Sequence, residues 1–225
     1  MAYIVEINNV TVTRSGREIL KNISLAVEAC QCIGVRGANG AGKTTLLHLI
    51  NGLVTPSFGD VSLFGQELTT QKLRERRIEI GYVPQHFDTA YEMPVRVKDV
   101  VLMGCYGRIG FFHFPDRFLH IEALNLMERL EVAHLAKRPF GHISGGERQK
   151  VMIARALMQR PKILLLDEPF ASLSDKATSA ASALILDIHR EKQLTTFMIS
   201  HEISLLEKLC DRIITVEEGS VIERN

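Results

Sequence analysis

The sequence predicts an α/β protein with a mostly parallel sheet, an antiparallel β piece at the N-terminus and an inserted helical block. Three observations lead to this fold class. Short apolar segments alternate with segments of helical periodicity, the central apolar segments contain no polar alternation, and a glycine-rich loop joins one of them to a helix. Apolar strands of this kind are typical of a parallel sheet that helices cover on both faces.

The N-terminal quarter of the chain is predicted to be an antiparallel β pair followed by a strand, a loop and a helix. Residues 3–12 and 18–27 alternate apolar and polar side chains on either side of a turn, as the strands of a hairpin do. The apolar run Cys32–Arg36 leads directly into the glycine-rich loop, and a glycine ends the helix predicted over residues 43–51.

The remaining elements follow from periodicity and from prolines that end segments. Residues 97–157 are mainly helical in pattern, and we interpret this block as an insertion between strands. The predicted strands cover residues 78–83, 162–166 and 194–200, and the predicted helices cover residues 116–135, 147–158 and 175–190, before a last helix and a final β piece. We therefore predict one domain over residues 1–225, with a core formed by residues 1–87 and 159–225 and a helical subdomain at about residues 88–158.

The composition is that of a globular protein with a sizeable core. Of the 225 residues, 46% are apolar and 24% are charged, and 27 basic against 26 acidic residues leave a net charge of +1. This balance shows no basic excess of the kind that points to nucleic acid, and it does not identify a partner. No signal peptide is visible, and no apolar run has the length that crosses a bilayer. We therefore expect a soluble, cytosolic protein that binds no nucleic acid.

The four cysteines, Cys30, Cys32, Cys105 and Cys210, are scattered along the chain. On a shared strand, the side chains of Cys30 and Cys32 would point the same way. No further ligands follow at the spacing of a metal site. We predict buried, reduced thiols.

The first motif that carries chemistry is the glycine-rich loop GANGAGKT, which starts at residue 37. Its glycines let successive backbone N–H groups turn toward phosphate oxygens, and the following helix directs its positive end at the same anion. In such a loop the lysine reaches the β and γ phosphates and the threonine hydroxyl holds Mg²⁺. The predicted ATP- and Mg²⁺-binding residues are Gly37, Asn39, Gly40, Ala41, Gly42, Lys43, Thr44 and Thr45.

The second motif is a run of apolar residues that ends in Asp167 and Glu168. It places two acids at the carboxyl end of a buried strand, where open α/β sheets bind their ligands. Asp167 suits Mg²⁺ binding through coordinated water, and Glu168 suits the polarisation of an attacking water. An acidic strand end before a proline is also a common way for a chain to leave a sheet, so the motif gains its meaning from the glycine-rich loop.

The third motif is the sequence ISGGE, in which Ser144 precedes Glu147 by three residues. This spacing predicts a capping box at the start of a helix. A cap does not require Gly145 and Gly146, because glycine in the first turn destabilises a helix by about 1 kcal/mol. Their bare N–H groups suit a second phosphate contact. Both interpretations remain open from this motif alone.

Together these motifs resemble those of ABC transporter ATPases, which belong to the P-loop NTPases, and the resemblance covers essentially the whole chain. The order is the P-loop, Gln85 after a strand, Ser-Gly-Gly before a helix, the Asp-Glu strand, and His201 after the next strand. The resemblance implies that Gln85 contacts the metal or the attacking water and couples the nucleotide to the helical block. It implies that His201 contacts the γ-phosphate. It also implies that the segment from Ser144 to Glu147 is the signature motif, which binds ATP held by a second copy of the chain.

Three features depart from the family pattern. In the signature motif, Ile143 and Glu147 stand where Leu and Gln are commoner, and both substitutions look tolerable. Arg14 replaces the aromatic residue that usually stacks on adenine, and a guanidinium can also stack on a planar ring. Ser174 replaces the usual Asp in the loop after Glu168. We predict that Asp175 caps the helix that follows this loop.

The coupling region resembles that of ATPases from manganese, zinc and iron importers. Residues 81–86 and 93–104 carry this resemblance, together with Tyr106, Gly107 and Arg108. Siderophore and cobalamin importers share much of it, and a non-transport ABC ATPase is a further alternative. The resemblance implies a peripheral protein at the cytoplasmic face of the membrane, with a permease subunit, a second copy of itself and an extracytoplasmic solute-binding protein as partners.

Two further groups of residues attract a functional interpretation. The histidines His86, His113, His120, His134 and His142 lack the repeated spacing of a metal site, and we predict surface or core positions for them. The aromatic run from residue 111 to 115 has two open interpretations. It forms either a local core under the helical block or a docking surface for the membrane partner.

Overall fold

The computed structural model describes residues 3–67, 75–85, 94–110 and 112–223. The predictions made for His86 and Phe111, and the domain boundary predicted near residue 88, lie outside these residues. The boundary predicted near residue 158 remains a prediction.

Within the described residues, the strands form two sheets. The strands are β1 (Val5–Arg14), β2 (Arg17–Val27), β3 (Cys32–Arg36), β4 (Phe58–Leu63), β5 (Gln66–Glu67), β6 (Ile80–Val83), β7 (Ile163–Asp167), β8 (Thr195–Ile199), β9 (Arg212–Glu217) and β10 (Ser220–Glu223). One sheet has the order β2-β1-β4-β5 and is antiparallel. The other has the order β10-β9-β3-β8-β7-β6 and is parallel except for β10. The predicted fold class is confirmed.

The helices follow the predicted alternation with the strands. They are α1 (Lys43–Ile50), α2 (Val97–Leu102), α3 (Tyr106–Ile109), α4 (Arg117–Arg129), α5 (Gly145–Met158), α6 (Asp175–Lys192) and α7 (Ile203–Leu209). Within the described residues, no helix is both long enough and apolar enough to cross a membrane.

Two apolar cores lie on opposite faces of the parallel sheet. Along β7, Ile163 and Leu165 belong to one core, and Leu164 and Leu166 belong to the other, because successive side chains of a strand point to opposite faces. The first core also contains the antiparallel sheet and α1. The second contains α2, α4, α5 and α6. The sheet is therefore covered on both faces, which explains why β7 and β8 are buried along their whole length.

The helix predicted over residues 116–135 is shorter in the structure. α4 ends at Arg129, Glu131 adopts a left-handed conformation with φ of 59°, and the N–H of Val132 donates to the carbonyl of Met127 at 2.8 Å. A short 3₁₀ turn, Ala133–Leu135, follows. The apolar spacing continued past the true end of the helix because Val132 and Leu135 are buried in the same core as α4.

Strand boundaries also differ slightly from the prediction. The segment predicted as a strand from residue 78 begins with a 3₁₀ turn, Arg77–Glu79, and becomes β6 only at Ile80. β7 begins and ends one residue later than predicted and includes Asp167. The ends of a strand depend on its hydrogen bonds to the neighbouring strand, and these bonds cannot be predicted from the pattern of apolar residues.

The cysteines are free thiols in different environments. Cys32 and Cys105 are buried, as predicted, whereas Cys30 is exposed. The prediction for Cys30 is wrong because β3 begins only at Cys32, and Cys30 lies in the preceding turn with φ of 66°. The two side chains therefore do not share a strand. The thiol of Cys32 instead contacts the sulfur of Cys210 at 3.5 Å.

A helix cap was predicted at Asp175 but not at Asp116, where a helix was predicted to begin. Asp116 is the N-cap of α4, and its Oδ1 accepts a hydrogen bond from the N–H of Leu119 at 2.9 Å. The prediction that Asp175 caps α6 is wrong. Ser174 occupies the N-cap position, and Asp175 is already the first helical residue. Its charge still lies where the helix dipole favours an acid.

Asp116→Ala should lower the free energy of unfolding by about 1 kcal/mol, because the substitution leaves a helix N–H group without its cap. Asp175→Ala is the matched control, and we expect a loss of about 0.3 kcal/mol from the helix dipole alone. Urea unfolding followed by circular dichroism measures both. Equal losses in the two variants would contradict the assignment of the cap to Asp116.

Candidate functional site

The glycine-rich loop connects the carboxyl end of β3 to the first turn of α1. Gly42 has a φ of 110°, and a Cβ atom there would lie 2.9 Å from Cδ2 of Leu20 and 3.0 Å from the carbonyl oxygen of Ile19. Glycine is therefore required by both conformation and space. Because α1 begins at Lys43, the N–H groups of its first turn have no partner within the helix. These donors make the start of α1 suited to an anion.

Lys43 places a buried positive charge at the loop. Its side chain is only 7% exposed, and its ammonium group donates to the carbonyl oxygens of Gly37 and Ala38 at 2.8 and 2.9 Å. Both acceptors are neutral. Hydrogen bonds between charged partners are roughly twice as strong as neutral ones. A phosphate oxygen would therefore be a stronger partner for this ammonium group than the two carbonyls.

Asp167 and Thr44 meet next to the loop. Asp167 is 2% exposed at the end of β7, and its carboxylate accepts a hydrogen bond from the Thr44 hydroxyl. Burial raises the pKa of the Asp167 carboxyl, and the bond from Thr44 acts in the opposite direction. Hydroxyl and carboxylate oxygens are the ligands that Mg²⁺ prefers. The two side chains thus fit the metal predicted for this position.

Glu168 and His201 form a close pair at the same edge of the sheet. Nε2 of His201 and Oε1 of Glu168 are 2.6 Å apart. The backbone of Glu168 is left-handed, with φ of 49°, and its N–H donates to the carbonyl of Ile199 at 3.2 Å. A non-glycine residue in this region costs about 1–3 kcal/mol, and such strain concentrates at functional sites.

A cavity of about 600 Å³ contains most of the predicted site. Its lining residues are Ile19, Asn39, Gly40, Gly42, Lys43, Thr44, Thr45, Gln85, Glu168 and His201. The structure therefore brings the P-loop, Gln85, Glu168 and His201 together from four segments of the chain. Ile19 was not predicted, and its place in the alternating pattern of β2 gave no signal that distinguished it. Gly37 and Ala41 belong to the loop but do not line the cavity.

Arg14 lies at the end of β1, opposite Arg17 in the hairpin. It is exposed and does not line the cavity. Its predicted contact with adenine therefore stays a prediction.

The segment from Ser144 to Glu147 forms the predicted capping box. The N–H and hydroxyl of Ser144 donate to the Glu147 carboxylate at 2.7 and 2.8 Å, and the N–H of Glu147 donates back to the hydroxyl at 3.3 Å. These bonds from Ser144 hold the pKa of Glu147 below its usual value. A Cβ on Gly146 would lie 2.8 Å from Cδ2 of Leu173, so a larger residue there would displace the end of this side chain in the loop after Glu168. Ser144, Gly145, Gly146 and Glu147 do not line the cavity of their own chain.

The structure also bears on the histidines and the aromatic run. Among the described residues, no group of three or more His, Cys, Asp or Glu side chains lies close enough to hold a metal ion. Phe112 and Phe114 are 99% and 87% exposed. The local-core interpretation of these two residues is therefore wrong.

Comparisons with known proteins agree with this geometry. A family model described as ABC transporter matches residues 20–171, more than half of the chain. The manganese transport system ATP-binding protein MntB of Bacillus subtilis (strain 168) is 39% identical over 210 residues, which cover 93% of this chain and 82% of the relative. The phosphonates import ATP-binding protein PhnC 1 of Ruegeria sp. (strain TM1040) is 39% identical over 219 residues, with coverage of 92% and 83%.

Solved structures show the same architecture. The dimeric structure of a post-hydrolysis state of the ATP-binding cassette MJ0796, bound to ADP and Pi, aligns with a TM-score of 0.85 at 27% identity. The alignment covers 98% of this chain and 99% of that chain.

Glu168→Gln should lower ATP turnover by about 10²–10⁴-fold, because the amide cannot accept a proton from the attacking water. ATP affinity should persist, since the ammonium group and loop N–H groups are unchanged, and dimers should accumulate with bound ATP. Phosphate release, nucleotide binding and size-exclusion chromatography measure these effects. Lys43→Ala is the comparison variant and should lose affinity instead. Undiminished hydrolysis by Glu168→Gln would refute the role assigned to Glu168.

Proposed function

The chain belongs to the ABC transporter family, whose ATP-binding subunits are ATP hydrolases, and on that premise we propose that it powers the import of a metal ion of the Mn/Zn/Fe class through a separate membrane permease. The proposal has two parts. One concerns how this cavity hydrolyses ATP, and the other concerns what the transporter carries.

The proposal that this cavity hydrolyses ATP rests on one observation: a lysine, a possible metal site and a carboxylate–histidine pair meet in or beside the same cavity. The buried ammonium of Lys43 supplies a positive charge for the β and γ phosphates. The Thr44–Asp167 contact supplies oxygen ligands for a metal, and Gln85 lines the same cavity. The Glu168–His201 pair supplies a carboxylate at a fixed place. Phosphoryl transfer requires mainly positioning and charge stabilisation, and these groups provide both.

Each residue has a role that its position supports. Mg²⁺, when bound by Thr44, Asp167 and Gln85, supplies positive charge that offsets the charge on the phosphates. Glu168 accepts a hydrogen bond from the attacking water and orients it. Nε2–H of His201 donates to Glu168, which holds the carboxylate in place, and the half-exposed imidazole remains near the γ-phosphate position.

A second copy of the chain completes the site in this proposal. Ser144, Gly145 and Gly146 begin a helix whose N–H groups suit a phosphate, yet they do not line the cavity of their own chain. The MJ0796 cassette, which shares this fold, is dimeric. Contacts between one chain's signature motif and the other chain's ATP would exist only in the closed dimer. ATP would therefore shift the population toward closure, and hydrolysis would reverse the shift. Arg14 would stack on the adenine.

The cargo is the second part of the proposal. The resemblance of the coupling region to metal importers and the 39% identity to a manganese transport protein support a metal ion. Import of a phosphonate is the second candidate, because a phosphonate import protein is equally similar. In either case the chain would act at the cytoplasmic face of the membrane, and a solute-binding protein outside would deliver the cargo.

A cell whose only copy of this chain carries Lys43→Ala should accumulate less of one metal among Mn, Zn and Fe than a cell with the unaltered chain. Loss of nucleotide binding removes the energy for transport. Elemental analysis under metal limitation measures this, and Lys192→Ala, an exposed lysine at the end of α6, serves as the control. Unchanged metal contents together with lost growth on a phosphonate would replace the metal with the second candidate.

The aromatic surface, defined as Tyr106, Phe112, Phe114 and Phe118, supports a docking site for the permease. Phe118 is 80% exposed, and a cavity of about 460 Å³ lies among Tyr106, Phe112 and Phe114. Clustered exposed aromatic residues mark interaction sites in soluble proteins. Aromatic side chains are also enriched in the cores of interfaces.

Combined Phe112→Ser and Phe114→Ser should reduce co-purification with the permease at least about fivefold, because the loss of two interface aromatics should cost more than about 1 kcal/mol. The ATPase activity of the isolated chain should persist. Phe58→Ser is the matched control, since Phe58 is 73% exposed but lies on β4. Retained co-purification of the double variant would remove the aromatic surface from the interface.

A further inference from the structure

One hydrogen bond joins α1 to β6 through two side chains that have no role in the cycle described above. Nε2 of His48 and the hydroxyl of Tyr82 are 3.0 Å apart. Their rings meet edge to face, with centroids 5.6 Å apart and planes at 80°. Burial lowers the pKa of the His48 imidazole and raises the pKa of the Tyr82 phenol, so both groups are neutral at neutral pH. A neutral imidazole and a neutral phenol can form this hydrogen bond in either direction, depending on which ring nitrogen carries the proton.

This pair lies between two parts of the catalytic cavity. His48 is one helical turn beyond Thr44 on α1, and Tyr82 is three residues before Gln85. Pro84 lies between Tyr82 and Gln85, and its ring restricts the backbone there. Because Thr44 and Gln85 line the same cavity, a displacement of Tyr82 from His48 would move Gln85 relative to Thr44.

A second contact holds the other end of the same segment against α1. The guanidinium of Arg77 donates to the carbonyl of Asn51 at 3.1 Å and also to the carbonyl of Gly52. These carbonyls lie at the C-terminal end of α1. From Arg77 to Gln85, the chain therefore runs along α1 from its C-terminus toward its N-terminus. The contact between Tyr82 and His48 lies between the two ends of this segment.

The carboxylate of Asp167 lies close enough to influence both members of the pair: it adds to the effect of burial in raising the pKa of Tyr82, and it opposes the effect of burial that lowers the pKa of His48. Asp167 also accepts the hydrogen bond from Thr44. The pair is thus next to the acidic end of β7 but does not line the cavity, so a contact with nucleotide does not explain it.

We propose that His48 and Tyr82 are positioning residues for ATP hydrolysis: their hydrogen bond holds Gln85 at its place opposite Thr44 and Asp167. The inference rests on the proposed role of Gln85. A bond that only stabilised the fold would join β6 to α1 without affecting turnover by the folded protein. A bond that positions Gln85 affects turnover directly, because small displacements of catalytic groups slow reactions severely.

Tyr82→Phe tests the proposal because it removes the hydroxyl and keeps the ring. In the full chain we expect kcat for ATP to fall about three- to tenfold, with KM and the unfolding midpoint unchanged. Tyr3→Phe, at an exposed tyrosine before β1, is the matched control. His48→Gln keeps an acceptor for the phenol and should retain more activity than His48→Ala. An unchanged kcat in Tyr82→Phe would overturn the proposal, whether or not the unfolding midpoint falls.

A double-mutant cycle with Gln85→Ala separates this inference from the function on which it rests. If Tyr82 acts through Gln85, Tyr82→Phe should lower kcat no further in the Gln85→Ala chain. A full additional loss there would overturn the route through Gln85 and leave the role of Gln85 intact. Wild-type turnover in Gln85→Ala alone would overturn both. As a readout independent of turnover, the ¹⁵N shift of His48 Nε2 should change in Tyr82→Phe, because Nε2 loses its hydrogen-bond partner; identical shifts in the two chains would contradict the hydrogen bond.

Discussion

The parallel pairing of β3, β8 and β7 is the constraint on which the site depends. Val35 and Asp167 both pair with Ile199, so one rung of the sheet joins all three strands. The P-loop, Glu168 and His201 each follow this rung by one or two residues. Parallel strands end at the same edge of a sheet. The pairing of the strands therefore places side chains that are far apart in sequence next to each other at this edge.

The two faces of that sheet are covered by different elements. α1 and the antiparallel sheet cover one face, and the helical block covers the other. The loop after β3 therefore turns over the first face, whereas the signature segment begins α5 on the second. β6 is the edge strand between them. The contact of β6 with α1 through Tyr82, and that of the preceding 3₁₀ turn through Arg77, fix the segment from which Gln85 extends. This short strand therefore matters to the cavity.

Features that depend only on residues close together in sequence could be predicted from the sequence. The strand Cys32–Arg36, the glycine-rich loop and the capping box at Ser144 follow from residues within one turn or one strand. Helix ends were less predictable. The predicted helix extended to residue 135, whereas α4 ends at Arg129. The prediction was too long because buried apolar side chains continue through the turn at Glu131. Asp116 and Asp175 both stand at the start of a predicted helix, and only the backbone conformation shows that Asp116 is an N-cap and that Asp175 is the first helical residue.

The sequence by itself determined the fold class and the chemistry that the loop and the strand ends can perform, since both depend on local spacing and residue type. The tertiary structure alone decided which groups touch. The contact between Thr44 and Asp167, the pair formed by Glu168 and His201, and the bond between His48 and Tyr82 each join segments that are distant along the chain. Strand order and register set those distances, and no local pattern records either of them.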